Sequence, residues 1–112
     1  MALFNLDEDL GTEIIQGFKV KFVHGEKMTV AYFDVLAGAE LPEHSHAHEQ
    51  ISSVIEGQFE LTIDGNTEIM KSGKVAVIPP YIKHSGKALT NCKIIDVFHP
   101  VRDDYKLIPT FR

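Results

Sequence analysis

The chain has 112 residues, which is enough for one domain with one hydrophobic core. Hydrophobic residues make up 44% and charged residues 24%, and the net charge is −5 without any run of Lys or Arg, so we expect no nucleic-acid partner. No apolar run is long enough to span a bilayer, and the first residues lack a basic, signal-like segment. We therefore expect a cytoplasmic protein without a membrane partner.

Strand signals fill most of the chain. One helical turn is expected at residues 5–10, and no later segment has helical periodicity. Alternating or β-branched stretches predict strands at 18–23, 28–36, 51–56, 58–63, 67–70, 74–78 and 91–98. Tight turns are expected at 64–66 and 72–73, where Gly and Asn tolerate positive φ. This spacing predicts an all-β sandwich or barrel.

Two of the predicted strands are apolar on both faces. These are residues 30–36 and 94–98. One face can fill a barrel, whereas the other needs a cover from the N-terminal strand, the C-terminal tail or a second subunit. We therefore expect a homodimer, because a monomer would leave a large apolar patch exposed.

Histidines are concentrated in one short segment. His44, His46, His48 and Gln50 stand at alternate positions, so in an unbroken strand all four would project to one side. Imidazole nitrogens that converge in this way can bind a divalent metal ion. His-x-His alone is a weak signal, because a solvated polar edge has the same pattern.

The surroundings of these histidines form two spaced motifs. The first, Gly-x5-His-x-His-x3-Gln-x6-Gly, spans residues 38–57, and the second, Gly-x5-Pro-x4-His, spans residues 73–84. Together they resemble the two motifs of the cupin superfamily. The resemblance implies a single cupin domain over residues 1–112, folded as a jelly roll, a double-stranded β-helix. It also implies one divalent metal ion bound by His44, His46, Gln50 and His84.

The chain departs from the superfamily at two positions. Gln50 replaces the usual acidic ligand, and Tyr81 stands where many members carry Gly. A Gln carbonyl brings no negative charge, which favours a Lewis-acid role over an oxygenase triad of two histidines and one carboxylate. Glu49 is the alternative ligand if a bulge near Ala47 corrects its parity. The donor set suits nickel, zinc, iron, cobalt or manganese. We expect His48 beside the ligands or at the rim.

The last predicted strand contributes a carboxylate. Asp96 shares its parity with Phe98, so it is either buried inside the barrel or exposed near an edge. The segment from Asp96 to Arg102 resembles the end of small cupins of the pectin-degradation type, which linearise unsaturated uronates. That resemblance implies that Asp96 moves a proton, Arg102 holds the carboxylate of a small sugar acid and Phe98 packs against its ring. Tyr32 and Tyr81 are candidates for the mouth.

Three functions remain open from the sequence. The first is a metal-dependent isomerase that opens and tautomerises 4,5-unsaturated uronates from pectin or alginate. The second is another metal-dependent cupin enzyme, such as a dioxygenase or a lyase on small acids. The third is a non-enzymatic cupin that binds a sugar or small molecule.

Overall fold

The computed structural model describes residues 1–108, which form two antiparallel β-sheets. The strands are β1 (Thr12–Ile15), β2 (Phe18–His24), β3 (Thr29–Val35), β4 (Glu40–His44), β5 (Glu49–Glu56), β6 (Phe59–Ile63), β7 (Asn66–Met70), β8 (Val75–Ile78), β9 (His84–Ala88) and β10 (Cys92–His99). One sheet has the order β1-β2-β3-β10-β5-β8 and the other β4-β9-β6-β7. The predicted all-β jelly roll is confirmed. The last four residues of the expected 1–112 domain lie outside the described range.

The core lies between the two sheets and follows from strand alternation. On β10 every second side chain is buried, namely Cys92, Ile94, Asp96 and Phe98, whereas the residues between them are at least partly exposed. Phe59 and Leu61 of β6 face the same core from the four-stranded sheet. The inward face of β10 therefore carries Asp96 into the interior together with Phe98, which excludes the exposed alternative.

Three strands were not predicted from the sequence: β1, β4 and β9. Two of them, β4 and β9, are mainly polar. Strand β4 reads ELPEH and β9 reads HSGKA, so neither has alternating apolar residues, and each carries a Pro or Gly that disfavours a strand. Pro42 is tolerated because β4 is an edge strand, where a missing N–H breaks no ladder. The predicted turn near residue 5 is a 3-10 helix at Leu6–Glu8.

The histidine segment is not one strand. Strand β4 ends at His44, and β5 begins at Glu49 in the other sheet, so residues 45–48 form a link between the sheets. The shared parity therefore does not place the four side chains on one strand face. His44, His46 and Gln50 approach one another because the link crosses from sheet to sheet at the mouth of the barrel.

The outer face of the six-stranded sheet carries an apolar row. Five apolar residues form a row across five strands, and each is paired in register with the next: Val23, Val30, Val97, Ile51 and Val77. Ile51 is 41% exposed and Val77 58% exposed. The N-terminal segment covers part of this sheet, where the Leu6 carbonyl accepts a hydrogen bond of 2.9 Å from Lys21 Nζ. The row itself remains open at Ile51 and Val77.

No helix among residues 1–108 combines the length and the hydropathy that crossing a membrane requires.

Glycine is required at position 57, the last residue of the first motif, both by the backbone conformation and by a close neighbour. Its φ is +87°, and an added Cβ would collide with the main-chain carbonyl oxygen of Asn91. Gly73 has φ +91° but no atom within 4 Å of the position of an added Cβ. The two glycines therefore separate the effect of backbone strain from the effect of a collision.

We expect Gly57→Ala to lower the free energy of unfolding by about 3–5 kcal/mol, because the substitution adds a main-chain collision to the left-handed strain. The matched variant Gly73→Ala adds strain alone and should cost about 1–2 kcal/mol. Urea denaturation measures both values. Equal losses in the two variants would contradict the close approach of Asn91.

Candidate metal centre

Three histidines converge at the mouth of the barrel. His44 ends β4, His84 begins β9 directly opposite it, and His46 lies in the link between the sheets. Their candidate ligand nitrogens all lie within 4.8 Å of one another, so the three residues could hold one metal ion. The ring centroids of His44 and His84 are 4.1 Å apart.

Main-chain carbonyls fix the tautomer of each imidazole. In each case Nδ1–H donates to the carbonyl of a residue two positions away: His44 to Pro42 at 2.8 Å, His46 to His48 at 3.0 Å and His84 to Ile82 at 2.9 Å. A carbonyl oxygen only accepts, so Nδ1 must carry the proton and Nε2 keeps its lone pair. This is the arrangement by which proteins orient histidine ligands toward a metal ion.

Burial favours the neutral form of His46 and His84. It lowers the pKa of His46 to about 4, and the positive charge of Arg102 acts in the same direction. Burial also lowers the pKa of His84. Nε2 of His84 is buried and has no hydrogen-bond partner among the described residues. A buried lone pair without a donor is costly, and a bound cation would satisfy it.

The Gln50 side chain supplies a second indication of a bound cation. Its Oε1 lies 3.0 Å from Nε2 of His46, although both atoms are acceptors once Nδ1 of His46 holds the proton. The Gln50 amide cannot turn to relieve this contact, because its Nε2 donates to Oδ2 of Asp96 at 3.0 Å. A divalent cation held by both acceptor atoms would resolve this contact.

The structure distinguishes the two residues considered for the fourth position. Gln50 is buried and lines the cavity, whereas Glu49 is exposed and lies beside His99 on the neighbouring strand. The bulge near Ala47 that the Glu49 alternative required is absent, because residues 45–48 form the link between the sheets. Gln50 is therefore the ligand that we propose.

Asp96 lies behind Gln50 in the barrel. One carboxylate oxygen accepts the hydrogen bond from Gln50, and Oδ1 is buried without a partner among the described residues. Burial raises the pKa of Asp96 to about 6, while the Ser52 hydroxyl opposite, the Gln50 amide and the charge of Arg102 act against that rise. A carboxyl group with such a pKa can both accept and donate a proton near neutral pH.

Arg102 closes the same cavity from the C-terminal segment. It does not bond Asp96, but its guanidinium makes a bidentate ion pair with Asp104, with Nε to Oδ1 at 3.0 Å and Nη2 to Oδ2 at 2.8 Å. The guanidinium carbon lies 4.7 Å from the centroid of the Phe98 ring and 3.8 Å from that of Tyr105. Arg102, Phe98 and Tyr105 all line the cavity.

The cavity has a volume of about 60 Å³. Its polar lining consists of His44, His46, Gln50, Ser52, His84, Asp96, Arg102 and Tyr105. Every metal and catalytic residue expected from the sequence is thus brought to one place. The cavity has room for one ion and a few water-sized groups. A larger ligand would therefore enter the cavity with only one of its edges.

Of the two tyrosines considered for the mouth, Tyr32 is wrong, because it lies on the outer face of the six-stranded sheet. Tyr81 is 72% exposed and does not line the cavity, but its main-chain N–H donates to the His46 carbonyl at 2.7 Å. Tyr105 lines the cavity instead. It lies in a short 3-10 helix near the end of the chain, where no periodicity marks its orientation. Ser52 was also missed, although its position two residues after Gln50 on β5 places both on the inward face.

The remaining histidines lie outside the cluster. His48 supports the site through its main chain, because its carbonyl accepts the Nδ1–H of His46. His24 contacts the Thr29 hydroxyl at 2.9 Å, so it is half-buried rather than an exposed turn residue. His99 is exposed at the end of β10.

The fold and the site together define a small jelly-roll protein with a candidate metal centre at its mouth. The family described as Cupin domain matches residues 31–98, which is more than half of the chain. The chain therefore belongs to the cupin family.

Three relatives are similar over most of their length. "Pectin degradation protein KdgF" of Dickeya dadantii is 29% identical over 102 residues, which cover 88% of this chain and 93% of that protein. The structure of KdgF from Halomonas sp. has a TM-score of 0.87 and 28% identity, and the match covers 93% of this chain and 97% of that one. An RmlC-like cupin from Shewanella frigidimarina has a TM-score of 0.84 and 28% identity, with coverages of 88% and 90%.

We expect His84→Ala to abolish stoichiometric metal binding, because it removes a buried donor that no neighbouring residue replaces. His44→Ala should act in the same way. His24→Ala is the matched control, since His24 is half-buried but lies outside the cluster. Elemental analysis after metal loading and desalting measures the outcome. Equal metal content in His84→Ala and wild type would contradict the site.

Proposed function

We propose that this cupin is a metal-dependent enzyme of pectin or alginate breakdown that opens 4,5-unsaturated uronates to linear keto-acids. The observation that carries the proposal is Asp96, a buried carboxylate with one unpaired oxygen in the cavity of the three histidines and Arg102. Similarity to two proteins named KdgF, one of them described as a pectin degradation protein, supports the substrate class.

The donor set fits one divalent cation. His44, His46, His84 and Gln50 would hold it, and when bound it would polarise substrate oxygens as a Lewis acid. All four donors are neutral, so the ion would keep its full positive charge for this role. This donor set agrees less well with an oxygenase built on two histidines and one carboxylate.

Asp96 would move the proton. In ring opening, its carboxylate takes the proton of the anomeric hydroxyl while the bond between C1 and the ring oxygen breaks. The electron pair of that bond stays on the ring oxygen and leaves an enolate at C5. Asp96 then returns the proton to C4, which gives the C5 ketone with no net gain or loss of atoms. The Gln50 amide holds Asp96 by one oxygen and leaves the other for the substrate.

Arg102 and Phe98 would bind the substrate at the cavity mouth. Arg102 is always charged and presents planar N–H donors that match a carboxylate. Phe98 is buried beneath the guanidinium and beside the His46 ring, with 5.7 Å between ring centroids. It therefore contributes a wall that excludes water from the reacting edge of the sugar.

We expect Asp96→Asn to lower turnover of 4,5-unsaturated galacturonate by roughly 10²–10⁴ while the metal content stays at the wild-type level. Asn keeps the shape of the side chain and a hydrogen-bond acceptor for Gln50, but it cannot take the proton. The assay follows the loss of the ultraviolet absorbance of the conjugated double bond, measured against the spontaneous rate. Asp34→Asn, which removes an exposed carboxylate paired with Lys93, is the matched control and should stay active.

Three outcomes would count against the reaction or against the role of Asp96. If the metal-loaded wild type gives no acceleration on galacturonate- or alginate-derived unsaturated products, uronate opening is wrong. Binding of such acids without turnover would favour the non-enzymatic alternative. A fully active Asp96→Asn would leave the reaction standing but would show that Asp96 is not the proton-transfer group.

We also propose that the protein is a homodimer that pairs through the outer face of the six-stranded sheet. The apolar row across that face ends at Ile51 and Val77, both well exposed. A second copy laid on this row would bury matching apolar side chains from both subunits.

Ile51→Glu should therefore convert the dimer to a monomer, because it places a charge in the exposed part of the row. Light scattering at several concentrations measures the mass. Ile69→Glu is the control, since Ile69 is 38% exposed but lies on β7 of the other sheet. A wild-type monomer at all concentrations would contradict the dimer, and so would a dimer that Ile51→Glu leaves intact.

A further inference from the structure

Arg102 is held in place by contacts with four residues of the protein. It is 6% exposed, and its guanidinium carbon lies over the rings of both Phe98 and Tyr105. Its main-chain N–H donates to the buried Thr29 hydroxyl at 2.9 Å. Asp104, two residues on, completes the enclosure with its bidentate ion pair.

The ion pair uses one edge of the guanidinium. Asp104 contacts Nε and Nη2, which form the side edge of the planar group. A guanidinium has five N–H groups, so three remain, on Nη1 and on the second position of Nη2. These form the end edge, which matches a second carboxylate in bidentate geometry. Arg102 lines the same cavity as His46 and Asp96 and lies over the Phe98 ring, so the guanidinium borders the site.

We propose that Asp104 is a positioning residue that orients the Arg102 guanidinium so that its end edge selects ligands with a carboxylate. This inference rests on the proposed function, because it assigns to Arg102 the binding of a sugar acid. The Asp104 side chain is 58% exposed, so it sits at the rim and acts on substrate only through Arg102. The fixed orientation lowers the conformational entropy that Arg102 would otherwise lose when a uronate binds.

A purely structural role for the ion pair has different consequences. If Asp104 only held the C-terminal segment in place, its loss would weaken binding of neutral and charged ligands alike. If it orients Arg102, its loss weakens binding of the carboxylate form alone. Galacturonate and its methyl ester differ in this charge and by one methyl group, and they serve as the probe pair.

The first experiment follows the Arg102 Nε–H signal by nuclear magnetic resonance in the full-length, zinc-loaded protein. The chain has only two arginines, Arg102 and Arg112, so Arg102→Lys assigns the signal. In wild type we expect hydrogen exchange at the Arg102 Nε–H roughly tenfold slower than in free arginine, and a shift of the signal on adding galacturonate but not its methyl ester. Asp104→Asn should abolish most of that protection, and Asp104→Glu should restore part of it.

Asp103→Asn is the matched control for these measurements. It removes the same charge from the neighbouring residue, which is exposed and paired with Lys106 at 3.4 Å rather than with Arg102. Protection of Arg102 should be unchanged in this variant. Full protection of Arg102 in Asp104→Asn, or no shift of the wild-type signal with galacturonate, would overturn the proposal whatever the enzyme assay shows.

The second experiment separates binding from chemistry. With unsaturated galacturonate, Asp104→Asn should raise KM about tenfold while kcat changes less than about threefold, and Asp103→Asn should leave both near wild type. An equal loss of affinity for galacturonate and its methyl ester would show a structural role and overturn the proposal. Absence of turnover in wild type would count against the proposed reaction alone, because the resonance experiment tests Asp104 without it.

Discussion

The Gln50 side-chain amide joins the two halves of the site. Its oxygen lies against Nε2 of His46, and its nitrogen donates to the buried Asp96 carboxylate. Because Asp96 fixes the direction of the amide, the oxygen must face another acceptor, and a shared cation resolves that conflict. The same amide leaves one Asp96 oxygen without a partner in the cavity. Metal binding and proton transfer thus depend on one hydrogen-bonded side chain.

The jelly roll places these groups together from distant parts of the chain. His44 and His84 come from the four-stranded sheet, whereas Gln50 and Asp96 lie on neighbouring strands of the six-stranded sheet. The link at residues 45–48 carries His46 between them. The two sheets must therefore pack in their observed register for the site to exist. The main-chain carbonyls that orient the histidines belong to the same short segments, so local folding sets the tautomers as well.

Sequence patterns predicted the residues inside the cavity better than those at its rim. Period-two alternation put Asp96 on the same face of β10 as Phe98, and the resemblance carried by the two spaced motifs grouped His84 with the other histidines. The polar strands β4 and β9 lack alternation, so the break in the histidine segment was not foreseen. Asp104 and Tyr105 escaped notice because they lie where the chain has no regular pattern. They contact Arg102 from two and three residues along the chain, in an irregular segment whose conformation no periodic pattern predicts.

Anomalous X-ray diffraction from crystals of the metal-loaded protein tests the central claim most directly. We expect one strong anomalous peak per chain, about 2.0–2.3 Å from Nε2 of His44, His46 and His84 and from Oε1 of Gln50. The Gln50 nitrogen should still donate to Asp96 in that structure. A peak bound through Glu49, or no peak at the three histidines, would contradict the account.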